Sequence, residues 1–253
     1  MTQLPLRLTG RTILVTGGGS GIGRGLAEAL HAMGNHVIIA GRREAALDDV
    51  IAVNPGMTAL SLDVADREAV SRAARHLLTE YPALDTIIHA AGVGYVDDLG
   101  GSINDGELTA TFDINVLGPV RLSAALLGAL RRQPDAAVIY VTSMLAYLPY
   151  AETALYSASK AALHAIVLAQ RYRLRDTNVR IIEIAPPLVA TQFAGNGRDP
   201  RAMPLAAFIG ETISALEEPS DEVLIPTARA RRDSLRMGEL EAVTAFNDRM
   251  AAT

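Results

Sequence analysis

The sequence predicts an α/β fold, one doubly wound, mostly parallel sheet of six to seven strands with helices on both faces. Three observations predict it. Short apolar runs rich in β-branched residues alternate with longer stretches of helical period from residue 12 almost to the end. The short runs are continuously apolar, as strands buried on both faces must be. Strand-helix alternation is the pattern of parallel crossovers. The first strand is expected at 12–16 (TILVT), followed by a glycine-rich turn and a helix to about Met33, in which Ile22, Leu26, Ala29, Leu30 and Met33 recur at helical spacing. The second strand is placed at 36–40 (HVIIA) and the third at 57–62 (MTALSL). A helix over about 66–80, stopped near Pro82, leads to the fourth at 86–90 (TIIHA). The fifth, 136–142 (AAVIYVT), and the sixth, 179–184 (VRIIEI), flank a long helix near 153–175. A short edge strand at 235–238 and a helix at 239–250 complete the expectation. No repeat or linker divides residues 1–253, which are read as a single domain. Gly/Pro-rich segments at 93–106 and 186–204 follow strand ends, where ligands bind in such sheets, and the substrate loop is placed at about 186–216.

Composition narrows the function. With 49% hydrophobic and 20% charged residues and a net charge of -5, the chain is ordinary globular material. The acidic balance argues against nucleic acid as a partner, and the basic run 229–236 (RARRDSLR) is read as a solvated or subunit-contact face. The absence of cysteine excludes disulfides, thiolate metal sites and a thiol nucleophile. Five histidines with no pair at i,i+4 give no metal-binding helix motif, and no metal is expected. Unbroken apolar runs fall well short of a membrane span and the N-terminus lacks a signal-peptide pattern. A cytoplasmic enzyme or binding protein, acting away from membranes, is the expectation.

Two motifs carry chemistry. Between the first strand and its helix lies Thr16-Gly17-Gly18-Gly19-Ser20-Gly21-Ile22-Gly23. Its glycines permit a tight turn and close backbone approach, and the helix N-terminus offers N–H groups and positive dipole to a pyrophosphate. The spacing Gly17-x3-Gly21-x-Gly23 differs from the common dinucleotide fingerprint, but its context after a first strand suits a dinucleotide. The second motif surrounds the one lysine: of 23 basic residues 22 are arginine, and Lys160 stands in Tyr156-Ser157-Ala158-Ser159-Lys160. A chain that otherwise uses only arginine places its single ammonium at i+4 from a tyrosine, on the same helix face. A cation beside a phenol favours the phenolate, so Tyr156 is expected to have a pKa lowered toward working pH and to exchange a proton with an alkoxide or alcohol.

Together these motifs resemble the short-chain dehydrogenase/reductase family over about residues 9–191, with its turn TGxxxGIG matched by Thr16, Gly17, Gly21, Ile22 and Gly23 and its Tyr-x3-Lys by Tyr156 and Lys160. The resemblance implies a Rossmann-type NAD(P)-binding domain. It makes Ser143, 13 residues before Tyr156, the group that bonds the substrate oxygen, and Asn115 the holder of a water linking Lys160 to solvent. It implies that Asp63, followed by Val64, holds the adenine, that Ala90, Ala91 and Gly92 lie beside the cofactor, and that Pro186, Val189 and Thr191 lie at the nicotinamide, with Thr191 on its amide. Members that prefer NAD carry an acid where this chain has Gly41; here Arg42 and Arg43 follow, and guanidinium groups bind phosphate through paired hydrogen bonds. NADP(H) is therefore expected over NAD(H). Met144, Leu145, Tyr147, Leu188, Phe193, Tyr95 and Met203 are expected around a largely apolar substrate space.

Three departures from the family pattern stand out. Pro187 replaces the usual Gly after Pro186, His89 and Ala90 replace the two amides of Asn-Asn-Ala-Gly before Ala91-Gly92, and the usual C-terminal strand and Gly-Gly turn are absent. His89 reads as a core or supporting histidine rather than a catalytic one. With Asn54-Pro55-Gly56, the altered C-terminus and Pro186-Pro187 resemble the DltE-like branch of the family. The expected activity is an NADP(H)-dependent carbonyl reductase or secondary-alcohol dehydrogenase. The alternatives are an NADP(H)-binding sensor without turnover and an epimerase or dehydratase that retains its cofactor. Helices at 118–132 and 153–175 resemble those that pair in family dimers, so a homodimer or homotetramer is expected.

Overall fold

The computed structural model describes residues 5–193 and 199–234, with positions 245, 248 and 249 helical beyond them. The edge strand expected at 235–238 and most of the helix expected at 239–250 lie outside the described residues. In chain order the elements are β1 (Thr12–Thr16), α1 (Gly21–Ala32), β2 (His36–Gly41), α2 (Glu44–Val53), β3 (Thr58–Ser61), α3 (Arg67–Glu80) and β4 (Leu84–His89). There follow α4 (Asp105–Phe112), a π-helical segment (Asp113–Leu117), α5 (Gly118–Leu130), β5 (Ala136–Val141), α6 (Ala154–Leu174), β6 (Val179–Ile184), α7 (Leu205–Leu216), β7 (Glu222–Val223) and α8 (Pro226–Ser234).

Among the described residues, seven strands form one parallel sheet in the order β3-β2-β1-β4-β5-β6-β7. The order reverses between β1 and β4, and the crevice beyond their carboxyl ends is where such sheets take ligands. Residues alternate between two cores. Ile13 and Val15 join Leu26, Leu30, Leu47 and Phe208 of α1, α2 and α7, whereas Leu14 joins Val70, Leu77, Leu122, Leu126 and Leu163 of α3, α5 and α6. The seventh strand is the two-residue Glu222–Val223, too short to leave a pattern in the sequence. β4 starts at Leu84, earlier than its apolar run, because Arg11, 2% exposed, meets Asp85 at 3.5 Å and so allows an acid inside the strand.

The helical run Asp105–Leu130 is long and apolar enough to cross a membrane by length and composition, with mean hydropathy 1.3, yet half of that stretch is buried inside the protein. Leu122, Leu126 and Leu130 on its α5 part supply the packing against α3. Asn104 caps α4 by accepting from Gly106 N at 3.0 Å and Glu107 N at 3.2 Å.

His89 lies in the core, as the sequence suggests. Its Nε2 meets Ser123 Oγ at 2.8 Å, and its ring stacks on Tyr140 at 4.9 Å. Ser123 Oγ in turn bonds the Tyr140 hydroxyl at 2.9 Å, and that hydroxyl donates to Gln170 at 2.7 Å. Burial pulls the imidazole down from 6.5 to about 3. The unfolded chain therefore takes up a proton that the folded chain refuses, and stability is full above pH 6.5 and is lost as pH falls toward 3. Urea titrations should show about 2–3 kcal/mol lost through this group between pH ~6.5 and ~4.5. His89→Asn should flatten that slope even if it lowers stability throughout; an unchanged slope would remove His89 from the account.

Candidate active site

The glycine turn folds as the close approach requires. Gly17 has φ +71°, and a Cβ there would lie 2.7 Å from Ala91 N; one at Gly23 would lie 2.4 Å from Gly17 O. A side chain at either place would displace backbone. Ser20 stands at the N-cap of α1 but makes no side-chain cap; its Oγ instead accepts from Arg43 Nη2 at 2.9 Å. The first N–H groups of α1 thus face the crevice with the positive end of the helix dipole. Backbone that approaches this closely, uncapped N–H groups and arginines at one rim form a donor set that fits a dinucleotide phosphate.

A cleft of about 620 Å³ runs from this turn across the carboxyl ends of the strands, and every catalytic and cofactor residue expected from the sequence lines it except Asn115. Arg42 and Arg43 follow Gly41 at the end of β2, and Arg42 Nη1 lies 3.9 Å from Asp63 Oδ2. Asp63 does not cap α3, a task done by Asp66; it turns the chain by accepting from Ala65 N at 3.0 Å. Across the cleft Thr191 lies 3.6 Å from where a Gly21 Cβ would stand. Pro187 leaves the path of this segment well held, because Pro186 O accepts from Met144 N at 2.9 Å and Ala190 N donates to Met203 O at 2.8 Å.

At the inner end Ser143, Tyr156 and Lys160 meet. Ser143 follows β5 and accepts from Leu145 N at 3.1 Å, which holds its hydroxyl near enough to Tyr156 to favour the phenolate. Tyr156 packs on Phe193 with ring centroids 5.4 Å apart. Lys160 Nζ lies 5.6 Å from the centre of the Tyr156 ring and donates to Val141 O at 2.9 Å. The ammonium thus approaches the ring and a strand carbonyl, and the expected lowering of the phenol pKa is not what the protein produces. Burial pushes Tyr156 up to about 12, offset only in part by Ser143. Burial pulls Lys160 down to about 8, against the opposing field of Glu183.

Asn115 sits behind the cleft wall, fully buried in the π-helical segment, whose extra residue per turn is a common feature of functional sites. Its amide is engaged with protein. Oδ1 accepts from Val93 N at 2.9 Å, and Nδ2 donates to Val93 O at 2.9 Å and to Ser159 Oγ at 3.0 Å. The amide clamps the segment after β4, where a Gly92 Cβ would stand 3.7 Å from Lys160 Nζ.

The substrate end is less apolar than expected. Met144, Leu145, Leu188 and Phe193 line the cleft, but so do Tyr150, Glu152, Asp199 and Arg201, the last two paired at 2.8 Å. Tyr147 turns away to donate to Glu222 at 3.0 Å, Tyr95 lines a separate pocket of about 230 Å³, and Met203 serves the backbone pairing with Val189. The charged members come from loops some fifty positions apart, and only membership of the 186–204 segment marked Asp199 and Arg201 beforehand.

A family model described as short chain dehydrogenase matches residues 11–202. The chain is 36% identical over 240 residues to the uncharacterized oxidoreductase DltE of Bacillus subtilis (strain 168), covering 91% of this chain and 94% of that relative. A short chain dehydrogenase from Burkholderia cenocepacia J2315 in complex with NADP superposes with TM-score 0.84 at 26% identity, over 96% of this chain and 99% of that one. A short chain dehydrogenase/reductase from Burkholderia phymatum in complex with NAD shares the fold with TM-score 0.80 at 21% identity, over 92% and 96% of the two chains.

Proposed function

Because the chain belongs to the short-chain dehydrogenase family and to its DltE-like branch, we propose that it is an NADP(H)-dependent oxidoreductase acting on a ketone or secondary alcohol, with Tyr156 as general acid and base. The observation that carries this reading is the meeting of Ser143, Tyr156 and Lys160 at one end of a cleft whose other end is the glycine turn. A bound nicotinamide would supply or accept the hydride.

The turn from Gly17 to Gly23 and the start of α1 would bind the pyrophosphate, with Arg42 and Arg43 at the 2′-phosphate, Asp63 and Val64 at the adenine, and Thr191 at the nicotinamide amide. Ser143 holds and polarises the substrate oxygen. With its pKa near 12, Tyr156 is protonated at neutral pH and can give that proton to the oxygen as the carbon is reduced. Lys160 stabilises the phenolate left behind. Asn115 positions the floor beside Lys160 without touching substrate. The protein's apparatus therefore suits carbonyl reduction at neutral pH.

Consumption of NADPH and NADH should be measured against aliphatic, aromatic and cyclic ketones and 1,2-diketones; turnover with NADPH preferred supports the reading. If tight NADPH binding accompanies no turnover of any carbonyl, the sensor reading replaces it. The pH dependence supplies a second expectation. Reduction should be steady through neutral pH and then fall about tenfold per unit above pH about 8, as Lys160 loses its proton. A rate that holds to pH ~10 would show that the ammonium is not needed.

A further inference from the structure

Behind Lys160 lies a polar row that the reaction above does not use. His89 on β4, Tyr140 on β5, Glu183 on β6 and Glu222 on β7 are register partners across four strands, so their side chains share one face of the sheet. Glu183 is the fully buried acid of this row, 0% exposed. Its carboxylate faces His164 Nδ1 at 2.8 and 3.0 Å and accepts from Thr142 Oγ1 at 2.6 Å. His164 meets the Tyr147 ring edge-on at 4.9 Å, and the Tyr147 hydroxyl donates to Glu222, which also pairs with Arg232. A carboxylate kept wholly out of water needs such partners, and it also acts at longer range than it would in solvent.

The acid is tied to Lys160 from two elements. On α6, His164 lies one turn beyond Lys160 on the same face. On β5, Lys160 Nζ donates to Val141 O, and the next residue, Thr142, donates to Glu183. The remaining groups around this cluster carry little competing charge. His89 and Tyr140 are held neutral by burial, Asn115 and Ser159 are neutral, and Tyr156 is a phenol. Glu222 and Arg232 offset each other beyond Tyr147.

We propose that Glu183, fixed by His164 and Thr142, is a positioning residue for proton transfer, its buried carboxylate serving as the counter-charge that keeps Lys160 an ammonium beside Tyr156. The proposal rests on the roles assigned above to Tyr156 and Lys160. Burial alone drives Lys160 toward the neutral amine, and the field of Glu183 opposes it.

The single lysine makes a test possible that needs no substrate. Full-length protein labelled with ¹³C-lysine gives one side-chain Cε resonance, whose pH titration reads Lys160 directly. The wild-type midpoint is expected near 8, and Glu183→Gln should lower it by about one unit. Glu183→Asp, which keeps the charge, should recover at least half of that shift. Removing one member of a buried pair can prevent folding, so the double variant Glu183→Gln/His164→Gln, with two amides able to bond each other, reads the same quantity. A midpoint within about 0.2 units of wild type in a folded variant lacking the carboxylate overturns the proposal, since a purely structural acid would change melting and leave the titration alone. In the reductase assay the alkaline limit should move with the midpoint. If the wild type reduces no carbonyl, the reductase reading falls while the titration still decides the role of Glu183.

Discussion

Tyr156→Phe should lower carbonyl reduction by about a thousandfold while leaving the NADPH dissociation constant within about threefold of wild type. The substitution keeps the ring that packs 5.4 Å from Phe193 and removes one oxygen. On the proposed reading the missing group is the proton donor to the substrate oxygen, and without it that proton would have to come from water. Ser143 retains its bond from Leu145 N at 3.1 Å, so the local backbone should hold. Single-turnover oxidation of NADPH and equilibrium binding by fluorescence separate the two quantities. Activity above about one tenth of wild type would take the proton-donor role away from Tyr156.

Arg42→Ala should weaken NADPH by about 10–100-fold and NADH by less than about threefold, as expected for the loss of a charge-assisted contact to the 2′-phosphate. The arginine is half exposed and lies 3.9 Å from Asp63, an arrangement that adds little to stability, so the fold should be indifferent to its removal. Arg43→Ala should differ in kind. Arg43 bonds Ser20 at 2.9 Å, so its loss loosens the glycine turn and should weaken both cofactors together. Equal losses of NADPH and NADH in the Arg42 variant would mean that the end of β2 does not read the 2′-phosphate.

The strands were legible because the interior of a parallel sheet demands runs such as TILVT, HVIIA and AAVIYV, and α1 because its apolar residues recur at helical spacing. Glu222–Val223 has no run to display, α2, α4 and the π-helical segment were left without a specific reading, and α7 (Leu205–Leu216) fell inside the stretch read as substrate loop to about 216. A single extra residue in one turn does not disturb a pattern read over two or three turns, so the device that carries Asn115 was invisible. The candidate site was legible where chemistry is local. The turn from Gly17 to Gly23 and the Tyr156–Lys160 pair each lie within a few residues of sequence, and the pair was conspicuous because it holds the one lysine.

By itself, then, the sequence determined the α/β fold, the glycine turn, and the tyrosine-lysine pair, all of which depend on residue type at short spacing. Tertiary structure alone decided which distant side chains meet. Strand register set Glu183 among His89, Tyr140 and Glu222, and loop placement brought Glu152, Asp199 and Arg201 to the outer cleft. It also decided protonation, raising Tyr156 where the local pair suggested lowering it. The reason is physical: spacing along a helix sets which charges are neighbours, but the cost of ionising a group depends on how much water the whole fold removes from it.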